Sequence, residues 1–311
     1  MRSRLTLSIV VAVAVVAVTL VAWSVTTTGQ ATRTARTPDG HPNLSGIWQV
    51  TNTANWDLLA HTMRPMVAQP GVYADVQVLA APVVALGEAG IVPPGPGVVE
   101  GNDIPYKPEA AAKKKENAEH WLDRDPELRC YKPGIPRAMY MPQPFQVTQG
   151  TNKIQMVFQY AQASRTIHMD EVNSPPADTW MGHSVGRWDG DTLVVNSDNF
   201  NDRTWLSRAG DFHSDAMKLV ERFTPITADA LRYEARVEDP NVFTRPWTMK
   251  MVLYRQLEDN AQLMDFKCVE LVEETFLGHL RKNQLVKRWE GDTMTIDITR
   301  RIPPVDKLYE R

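Results

Sequence analysis

The sequence predicts a mainly β protein, built as an antiparallel β-barrel or β-sandwich. Apolar and polar residues alternate strictly in several segments, which is typical of antiparallel strands with one buried and one solvated face. Turn signals separate these segments at spacings of about 8–14 residues, as expected for successive strands of one sheet. The Asp189-Gly190 pair between two strand patterns is a strong hairpin signal. The alternating segments are residues 154–160, 231–238, 249–253 and 263–268.

The first 30 residues carry an export signal, either a cleaved signal peptide or an uncleaved signal anchor. Arg2 and Arg4 precede an apolar run over residues 5–25. Secretory signals use about 7–15 apolar residues and membrane-spanning helices about 20, so both possibilities stay open. Because positive charges stay on the cytoplasmic side, we expect the remainder of the chain on the periplasmic or extracellular face.

Residues 31–43 read as a linker, and residues 44–311 as a single β-rich domain. The first strand pattern covers residues 44–50, and an irregular and helical arm occupies residues 51–145. One helix is expected in this arm, around residues 108–122. It opens on a proline, which suits a first helical position, and continues with Ala, Lys and Glu.

Cys130 and Cys268 are the two cysteines of the chain. An oxidising compartment permits a disulfide between them, and two buried free thiols are the alternative. A disulfide would close a long loop, which the chain-entropy model associates with roughly 4–5 kcal/mol of stabilisation.

Charge and motif content exclude several functions. The net charge of −3 and the lack of a basic stripe argue against nucleic acid as a partner. The sequence has no glycine-rich phosphate loop, dinucleotide fingerprint or haem-attachment motif, so we expect neither nucleotide cofactor nor covalent haem. The expected partners are a small hydrophobic organic molecule and, through residues 5–25, a membrane.

Residues 180–214 hold the densest cluster of aromatic and polar side chains. Its centre, RWDGDT at residues 187–192, recurs as RWEGDT at residues 288–293. The flanking sequences do not match further, which favours two similar hairpins over a duplicated domain. In the first copy, we expect Trp188 and Thr192 to lie close across the turn.

The segment Leu44-Ser45-Gly46-Ile47-Trp48 resembles the Gly-x-Trp that opens the first strand of lipocalin barrels. The resemblance implies a ligand-holding barrel whose closed end is plugged by Trp48. It also implies that an arginine from a late strand, Arg255 or Arg288, packs over this tryptophan.

A second resemblance rests on LSGxW within residues 43–48 and on GHSVGRWxGDTLVV within residues 182–195, together with residues 130–137 and 238–240. In combination these segments resemble a large group of exported bacterial proteins. The resemblance implies export and a β-rich fold, and it implies no reaction.

Two His-Ser pairs flank the predicted hairpin, at His183 and at His213. An imidazole takes and gives protons near neutral pH, and loops held by a rigid sheet are favoured places for function. If the hairpin folds back, both rings face one cavity. This predicts an acid–base pair of His183 and Asp202, assisted by His213; the alternative is ordinary structural hydrogen bonding. Neither Ser184 nor Ser214 lies in a Gly-x-Ser-x-Gly elbow, so the sequence does not support a serine nucleophile.

Glu221 shares one face of a predicted strand with apolar residues and is expected to point into the core. A carboxyl group in apolar surroundings keeps its proton more readily, which suits a proton donor. A buried pair with Arg187 or Arg245 is the structural alternative. In the catalytic interpretation, Arg187 stabilises developing negative charge.

The same region offers ligand-binding and metal-binding alternatives. The two histidines with Asp202 or Glu221 resemble a zinc or iron ligand set, but no His-x-His or His-x-x-x-His spacing supports it, and we assign no metal ligands. Several tryptophans can line a pocket for a flat or hydrophobic ligand, with core packing as the alternative. The predicted ligand-binding residues are Trp180, Trp188, Trp205, Trp247 and Arg245.

These observations predict an exported, membrane-tethered β-barrel enzyme that performs acid–base chemistry without a cofactor. Lyase, isomerase, cyclase or hydratase chemistry on a small hydrophobic or cyclic organic substrate fits the residues. Two alternatives stay open, a non-catalytic lipocalin-like protein that binds a small ligand and a metal-dependent hydrolase.

Overall fold

The structure is a computed structural model. It describes residues 34–66, 68–70, 77–79, 91–170, 172–270, 272, 287–290 and 293–296. The predicted export segment over residues 5–25 therefore lies outside the described residues. Among the residues that are described, no helix combines the length and apolar character needed to span a bilayer.

Strands dominate the described part of the chain, and helices are short. In chain order the strands are β1 (Gly46–Val50), β2 (Arg64–Pro65), β3 (Ala68–Pro70), β4 (Gln77–Leu79), β5 (Ile91–Val92), β6 (Phe145–Gln149), β7 (Lys153–Phe158), β8 (Ser164–His168), β9 (His183–Asp189), β10 (Thr192–Asp198), β11 (Lys218–Thr227), β12 (Ala230–Glu238), β13 (Trp247–Arg255), β14 (Lys287–Glu290) and β15 (Thr293–Ile296). The α-helices are α1 (Pro108–Glu119) and α2 (Trp121–Arg124), and single 3₁₀ turns occur at Glu100–Asn102, Arg137–Tyr140 and Tyr160–Gln162.

Within the described residues, nine strands close into a barrel in the order β1-β13-β12-β11-β10-β9-β8-β7-β6, and β6 pairs back onto β1. The prediction of a mainly β protein is confirmed, and the barrel is the architecture. The prediction of one helix near residues 108–122 is also confirmed, as α1 and α2 with Pro108 at the helix start.

One pair of barrel strands departs from the antiparallel pattern. β8 and β9 run parallel, and only two residue pairs join them, Ile167 with Ser184 and His168 with Val185. Parallel neighbours need a crossover connection instead of a tight turn, and residues 169–182 supply it. We call this junction the β8–β9 seam.

The β9–β10 hairpin differs in register from the prediction. Thr192 pairs with Asp189, and Trp188 pairs with Leu193, so the turn consists of Gly190 and Asp191. Gly190 has a φ of 60°, a conformation that glycine adopts without a steric cost. The second motif copy also forms a hairpin, β14–β15, in which Glu290 pairs with Thr293 in the same register.

The end of the barrel near β1 has the packing that the Gly-x-Trp motif predicts. Trp48 is completely buried, and the guanidinium carbon of Arg255 lies 4.3 Å from the centre of its ring. Arg255 also donates hydrogen bonds to the carbonyl oxygens of Ser45 and Ala228. Of the two candidate arginines, Arg255 therefore covers Trp48, whereas the side chain of Arg288 lies outside the described residues.

A disulfide joins the arm to the chain after the barrel, as the cysteine content predicts. The Cα atoms of Cys130 and Cys268 are 5.6 Å apart and the sulfur atoms are bonded. The segment that carries Cys268 corrects the sequence analysis, because residues 263–268 are irregular and not a strand. In this segment the ring centre of Phe266 lies 4.9 Å from that of Tyr160.

A buried charge network attaches the arm to the barrel. Arg137 makes two hydrogen bonds of 2.8 Å to the carboxylate of Asp125, and it also contacts Glu127 at 3.3 Å. Arg208, on the loop after β10, donates to Glu127 at 2.8 and 3.0 Å. Bidentate pairs of this kind fix orientation as well as charge, so they set where the arm lies against the barrel.

Candidate functional site

A cavity of about 320 Å³ opens at the β8–β9 seam. Antiparallel pairs continue along β10 to β13, but here the short parallel pairing leaves Ser164, Arg165 and Thr166 at the start of β8 unpaired on the β9 side, while β7 pairs with them on the other side. Gly182 lies at the entrance to β9 with a φ of 68°, and a Cβ atom there would come within 2.4 Å of the Phe200 ring. The side chains that matter most for the cavity are Lys132, Arg165, His168, Trp180, His183 and Ser184.

Arg165 on β8, which lines the cavity, forms a buried ion pair with Glu221 on β11, which does not line it. The guanidinium bonds both carboxylate oxygens, one of them at 3.0 Å. Its remaining contacts are hydroxyl groups, Ser184 and Ser197, each at 2.9 Å. Because every partner comes from a different strand, the wall of the barrel holds the guanidinium in one orientation.

Tyr233 completes this network from β12. Its hydroxyl donates to Glu221 at 2.9 Å. Burial, and next the negative charge of Glu221, raise the pKa of Tyr233 well above the ordinary value, so the phenol keeps its proton. The expected inward orientation of Glu221 is confirmed by its complete burial, but its partner is Arg165, which the sequence analysis did not consider, and neither Arg187 nor Arg245.

His183 lies at the mouth of the seam, with its side chain only 10% exposed. Its Nδ1 atom is 3.4 Å from the Ser174 hydroxyl and 3.9 Å from a carboxylate oxygen of Asp198. Its Nε2 atom is buried and has no hydrogen-bond partner among the described residues. A carboxylate beside Nδ1 favours the proton on that nitrogen, which leaves Nε2 as an acceptor in the neutral ring.

His168 stacks on His183 across the seam, with ring centres 5.6 Å apart and planes inclined by 28°. Burial, followed by the nearby charges of His183 and Lys153, lowers the pKa of His168. Two stacked imidazoles disfavour double protonation because like charges at this distance repel. The neutral form of His168 is therefore favoured.

The rim of the cavity is aromatic and basic. Trp180 lines the cavity, and its ring lies 5.0 Å from that of Tyr131. Lys132 follows Tyr131 and also lines the cavity. The disulfide at Cys130 ties this rim segment down.

A second cavity of about 290 Å³ lies on the other side of His183. Asp198, Lys218 and Arg236 are among the residues that line it. His183 therefore separates two hollows, and Asp198 belongs to the second one. The carboxylate that approaches His183 is thus Asp198 on β10, in place of the predicted Asp202.

His213 occupies different surroundings from His183. Its ring is buried, with Nε2 2.6 Å from the Thr204 hydroxyl and Nδ1 2.8 Å from the Ser214 carbonyl oxygen. Burial lowers its pKa, against weaker opposing effects from Ser214 and nearby carboxylates. His213 lines neither of the two hollows beside His183, so the structure does not bring the two rings to a shared cavity.

The remaining predicted catalytic residues are exposed. Asp202 lies in the loop after β10 and influences the charge of His213 from a distance. Arg187 is exposed on β9, where its position in the strand places it on the outer wall of the barrel. Both residues are therefore placed away from the seam cavity.

The predicted ligand-binding residues divide into one cavity residue and four others. Trp180 alone lines the seam cavity. Trp188 stacks on His41 at 4.6 Å with nearly parallel planes, whereas Trp205 and Trp247 are buried in the core. The exposed Arg245 pairs with Asp103 at 3.2 Å.

Sequence reasoning missed Arg165, Lys132 and Asp198. Arg165 carried a usable signal, because it shares strand parity with Ile167 and an arginine at an apolar position needs a buried partner. Lys132 and Asp198 carried none, since lysine beside an irregular segment and aspartate at a strand end are common on surfaces.

No three His, Cys, Asp or Glu side chains in the described part of the chain are grouped so as to hold a metal ion. No family model and no curated protein sequence matches this chain. The assignment of function therefore rests on the geometry of the seam cavity.

Proposed function

We propose that this protein is a small-molecule enzyme that performs acid–base chemistry at the β8–β9 seam, with His183 as the proton acceptor. The observation that carries the proposal is the Nε2 atom of His183, which is buried and unpartnered among the described residues, on a side chain that lines the cavity. Buried polar atoms are nearly always hydrogen-bonded, so an unsatisfied imidazole nitrogen beside a hollow suits a group that binds a ligand proton.

The surroundings of His183 support a base more than a metal ligand or a structural residue. The Ser174 hydroxyl lies 3.4 Å and the Asp198 carboxylate 3.9 Å from Nδ1, and the nearby negative charge favours the tautomer with a lone pair on Nε2. A general base oriented by a carboxylate is the usual arrangement for proton transfer from a substrate.

Arg165 positions the wall of the cavity behind the substrate. Its guanidinium is held rigidly by Glu221 and the Ser184 and Ser197 hydroxyls, and its side chain is only 1% exposed, so it does not reach the substrate itself. Glu221 offsets its positive charge. Arg165 is therefore a positioning residue for Ser184 and does not take the role that the sequence analysis gave to Arg187.

The proposed reaction class is proton abstraction, as in an isomerase, lyase, cyclase or hydratase. The chemistry needs no cofactor, because His183 supplies the base and the cavity wall supplies the donors. A cavity of about 320 Å³ lies at the small end of the range of ligand sites, about 300–1,000 Å³, which fits a small cyclic substrate.

A deuterium-exchange assay tests the proposal without knowledge of the product. The full-length chain, purified in mild detergent, is incubated in D₂O with a panel of small cyclic compounds that carry an acidic C–H next to a carbonyl. We expect wild type to accelerate exchange of at least one compound, measured by proton NMR. His183→Gln should lose about 10²–10⁴-fold of that rate, the usual contribution of a general base.

His120→Gln is the matched control, since His120 is exposed at the end of α1 and does not line the cavity. It should exchange at the wild-type rate. Equal rates for wild type and His183→Gln would contradict the role of His183. Absence of exchange with every compound that binds would favour the second candidate.

The second candidate is a lipocalin-like binding protein without chemistry. The packing of Arg255 over Trp48 favours it, since this is the arrangement that the Gly-x-Trp resemblance implies for the closed end of such a barrel. In this case Trp180 is the contact residue, and a bound ligand should quench its fluorescence. Trp180→Phe should remove the quenching, and His183→Gln should leave it.

We also propose export of the chain to a periplasmic or extracellular compartment, anchored in the membrane or released after signal cleavage. The disulfide between Cys130 and Cys268 supports this location, because disulfides persist mainly in oxidising compartments. The apolar run over residues 5–25 after Arg2 and Arg4 agrees with it. The resemblance to exported bacterial proteins points the same way.

A further inference from the structure

The seam cavity carries a charge pattern that bears on its ligand. Its lining, all of it within the described residues, contains Lys132, Arg165, His168 and His183, and it contains no aspartate or glutamate. Serine and threonine side chains also line the cavity, among them Ser164, Thr166 and Thr179. The lining therefore offers hydrogen-bond donors and, because Glu221 offsets the charge of Arg165, an uncompensated cation at Lys132.

The carboxylates near the cavity do not compete for a ligand at its mouth. Glu221 is completely buried and is bonded to Arg165 and Tyr233. Asp198 lines the neighbouring hollow and approaches His183 only on its Nδ1 side. Among the described residues, Lys132 lines the cavity, is exposed and makes no ion pair, so no protein carboxylate neutralises its charge.

The rim adds a flat apolar surface beside this free cation. Trp180 and Tyr131 are in ring contact, and Trp180 lines the cavity. The disulfide at Cys130 holds the chain next to Tyr131 and Lys132. A rigid aromatic face next to an unpaired cation suits a molecule that has a ring and an anionic group.

We propose that the cavity recognises small cyclic molecules that carry an oxyanion, a carboxylate or a phosphate, with the oxyanion at Lys132 and the ring against Trp180. This inference rests on the proposed function, since it describes the substrate of the same cavity. Lys132 holds the substrate, and His183 takes the proton.

Four probes that share a benzene ring and differ in charge test the inference. Benzoate and phenyl phosphate carry the two kinds of oxyanion, benzyl alcohol is neutral, and benzylamine is cationic. Binding to the full-length chain is measured by isothermal titration calorimetry. We expect at least one anion to bind about tenfold or more tightly than the alcohol, the difference expected from one charge-assisted contact.

The preferred anion identifies the oxyanion class, carboxylate or phosphate. The affinity of that anion should fall as salt is raised from about 0.05 to about 0.5 M, since salt screens exposed charges, while benzyl alcohol should be insensitive. Equal affinity for the anions and the alcohol, or tighter binding of benzylamine, would overturn the inference.

The variant Lys132→Gln locates the contact. It should weaken binding of the preferred anion about fivefold, in keeping with a partly solvated charge, and leave the alcohol unchanged. Lys115→Gln, on the exposed face of α1, is the matched control and should bind like wild type. Unchanged anion affinity in Lys132→Gln would show that the anion lies elsewhere.

The two proposals fail separately. Loss of anion preference with deuterium exchange retained would overturn this inference and leave the acid–base role of His183. Anion preference with no exchange of any bound compound would leave this inference and overturn the acid–base role.

Discussion

The two His-Ser pairs of this chain have the same sequence and opposite surroundings. At His183 the ring nitrogen Nε2 has no partner among the described residues, and Ser184 bonds the guanidinium of Arg165. At His213 both ring nitrogens are bonded, and Ser214 bonds the carboxylate of Asp239 through its amide at 2.6 Å and its hydroxyl at 2.8 Å.

The difference shows how the fold separates a reactive group from a structural one. His183 lies where a short parallel pairing leaves the barrel wall open. His213 lies on a loop packed beneath the arm, where burial favours its neutral form. An identical dipeptide can therefore be a candidate base in one place and a structural support in the other, because neighbouring elements decide whether its hydrogen bonds are complete.

The largest expected effect is on the free energy of unfolding and comes from removing Arg165, the partner of Ser184 and Glu221. Arg165→Ala would leave the Glu221 carboxylate buried without its counter-ion, and we expect a loss of about 3–5 kcal/mol in the free energy of unfolding. Urea unfolding followed by circular dichroism measures it.

Arg222→Ala is the control for this measurement, because the Arg222–Asp189 pair has the same chemistry at 2.9 Å but is solvent-exposed. Exposed pairs contribute about 0–1 kcal/mol. A similar loss of unfolding free energy in Arg165→Ala and Arg222→Ala would show that the Arg165–Glu221 pair stabilises the fold no more than an exposed pair does.

A direct comparison of the two histidines should give an intermediate effect. His213→Ala leaves the Thr204 hydroxyl and the Ser214 carbonyl oxygen without their partner, and we expect it to cost about 1–3 kcal/mol. His183→Ala removes a ring whose Nε2 is already unsatisfied, and we expect a cost below about 1 kcal/mol. Urea unfolding measures the change in unfolding free energy for both variants. If His183→Ala is the more destabilising of the two, the distinction drawn between the pairs is wrong.

The smallest expected effect is on the pH dependence of stability. Burial lowers the pKa of His213, so the folded chain binds its proton at lower pH than the unfolded chain, where an imidazole titrates near about 6.5. Below that pH the unfolded state holds more protons, and the free energy of unfolding falls as the pH falls. The stabilisation is therefore complete above about pH 6.5 and is lost on acidification.

Unfolding at about pH 7.5 and about pH 5.5 checks this contribution. His213→Gln should lose less stability over that interval than wild type does. His168 contributes in the same direction, because burial and the charges of His183 and Lys153 lower its pKa, so His168→Gln is measured alongside. An identical pH dependence in wild type and His213→Gln would rule out the proposed linkage.

Much of the fold was predictable from local pattern. The alternation in residues 231–238 and 249–253 matches β12 and β13, and the Asp-Gly signal marks a real hairpin. Such features are local, since a two-residue period and a tight turn depend only on neighbours along the chain. The irregular segment over residues 263–268 shows the limit, because alternation alone does not supply a strand partner.

The candidate site was only partly predictable. His183 and Trp180 belong to the cavity, but Asp202, Arg187 and His213 do not line it. The acid–base pairing was inferred from closeness in sequence, whereas the carboxylate beside His183 comes from the opposite strand of the hairpin. Register across strands decides such pairs, and a shift of one residue moves a side chain to the other face.

The sequence by itself determined the strand-rich fold, the arm with its helix, the cysteine pair and the inward orientation of Glu221. These follow from composition and periodicity, which act between residues close along the chain. Only the tertiary structure decided that β8 and β9 meet in parallel, that Arg165 is the partner of Glu221 and that His183 faces a cavity while His213 is enclosed. Those outcomes depend on which distant strands pair and in which register. Contacts throughout the barrel contribute to the free energy that decides this pairing.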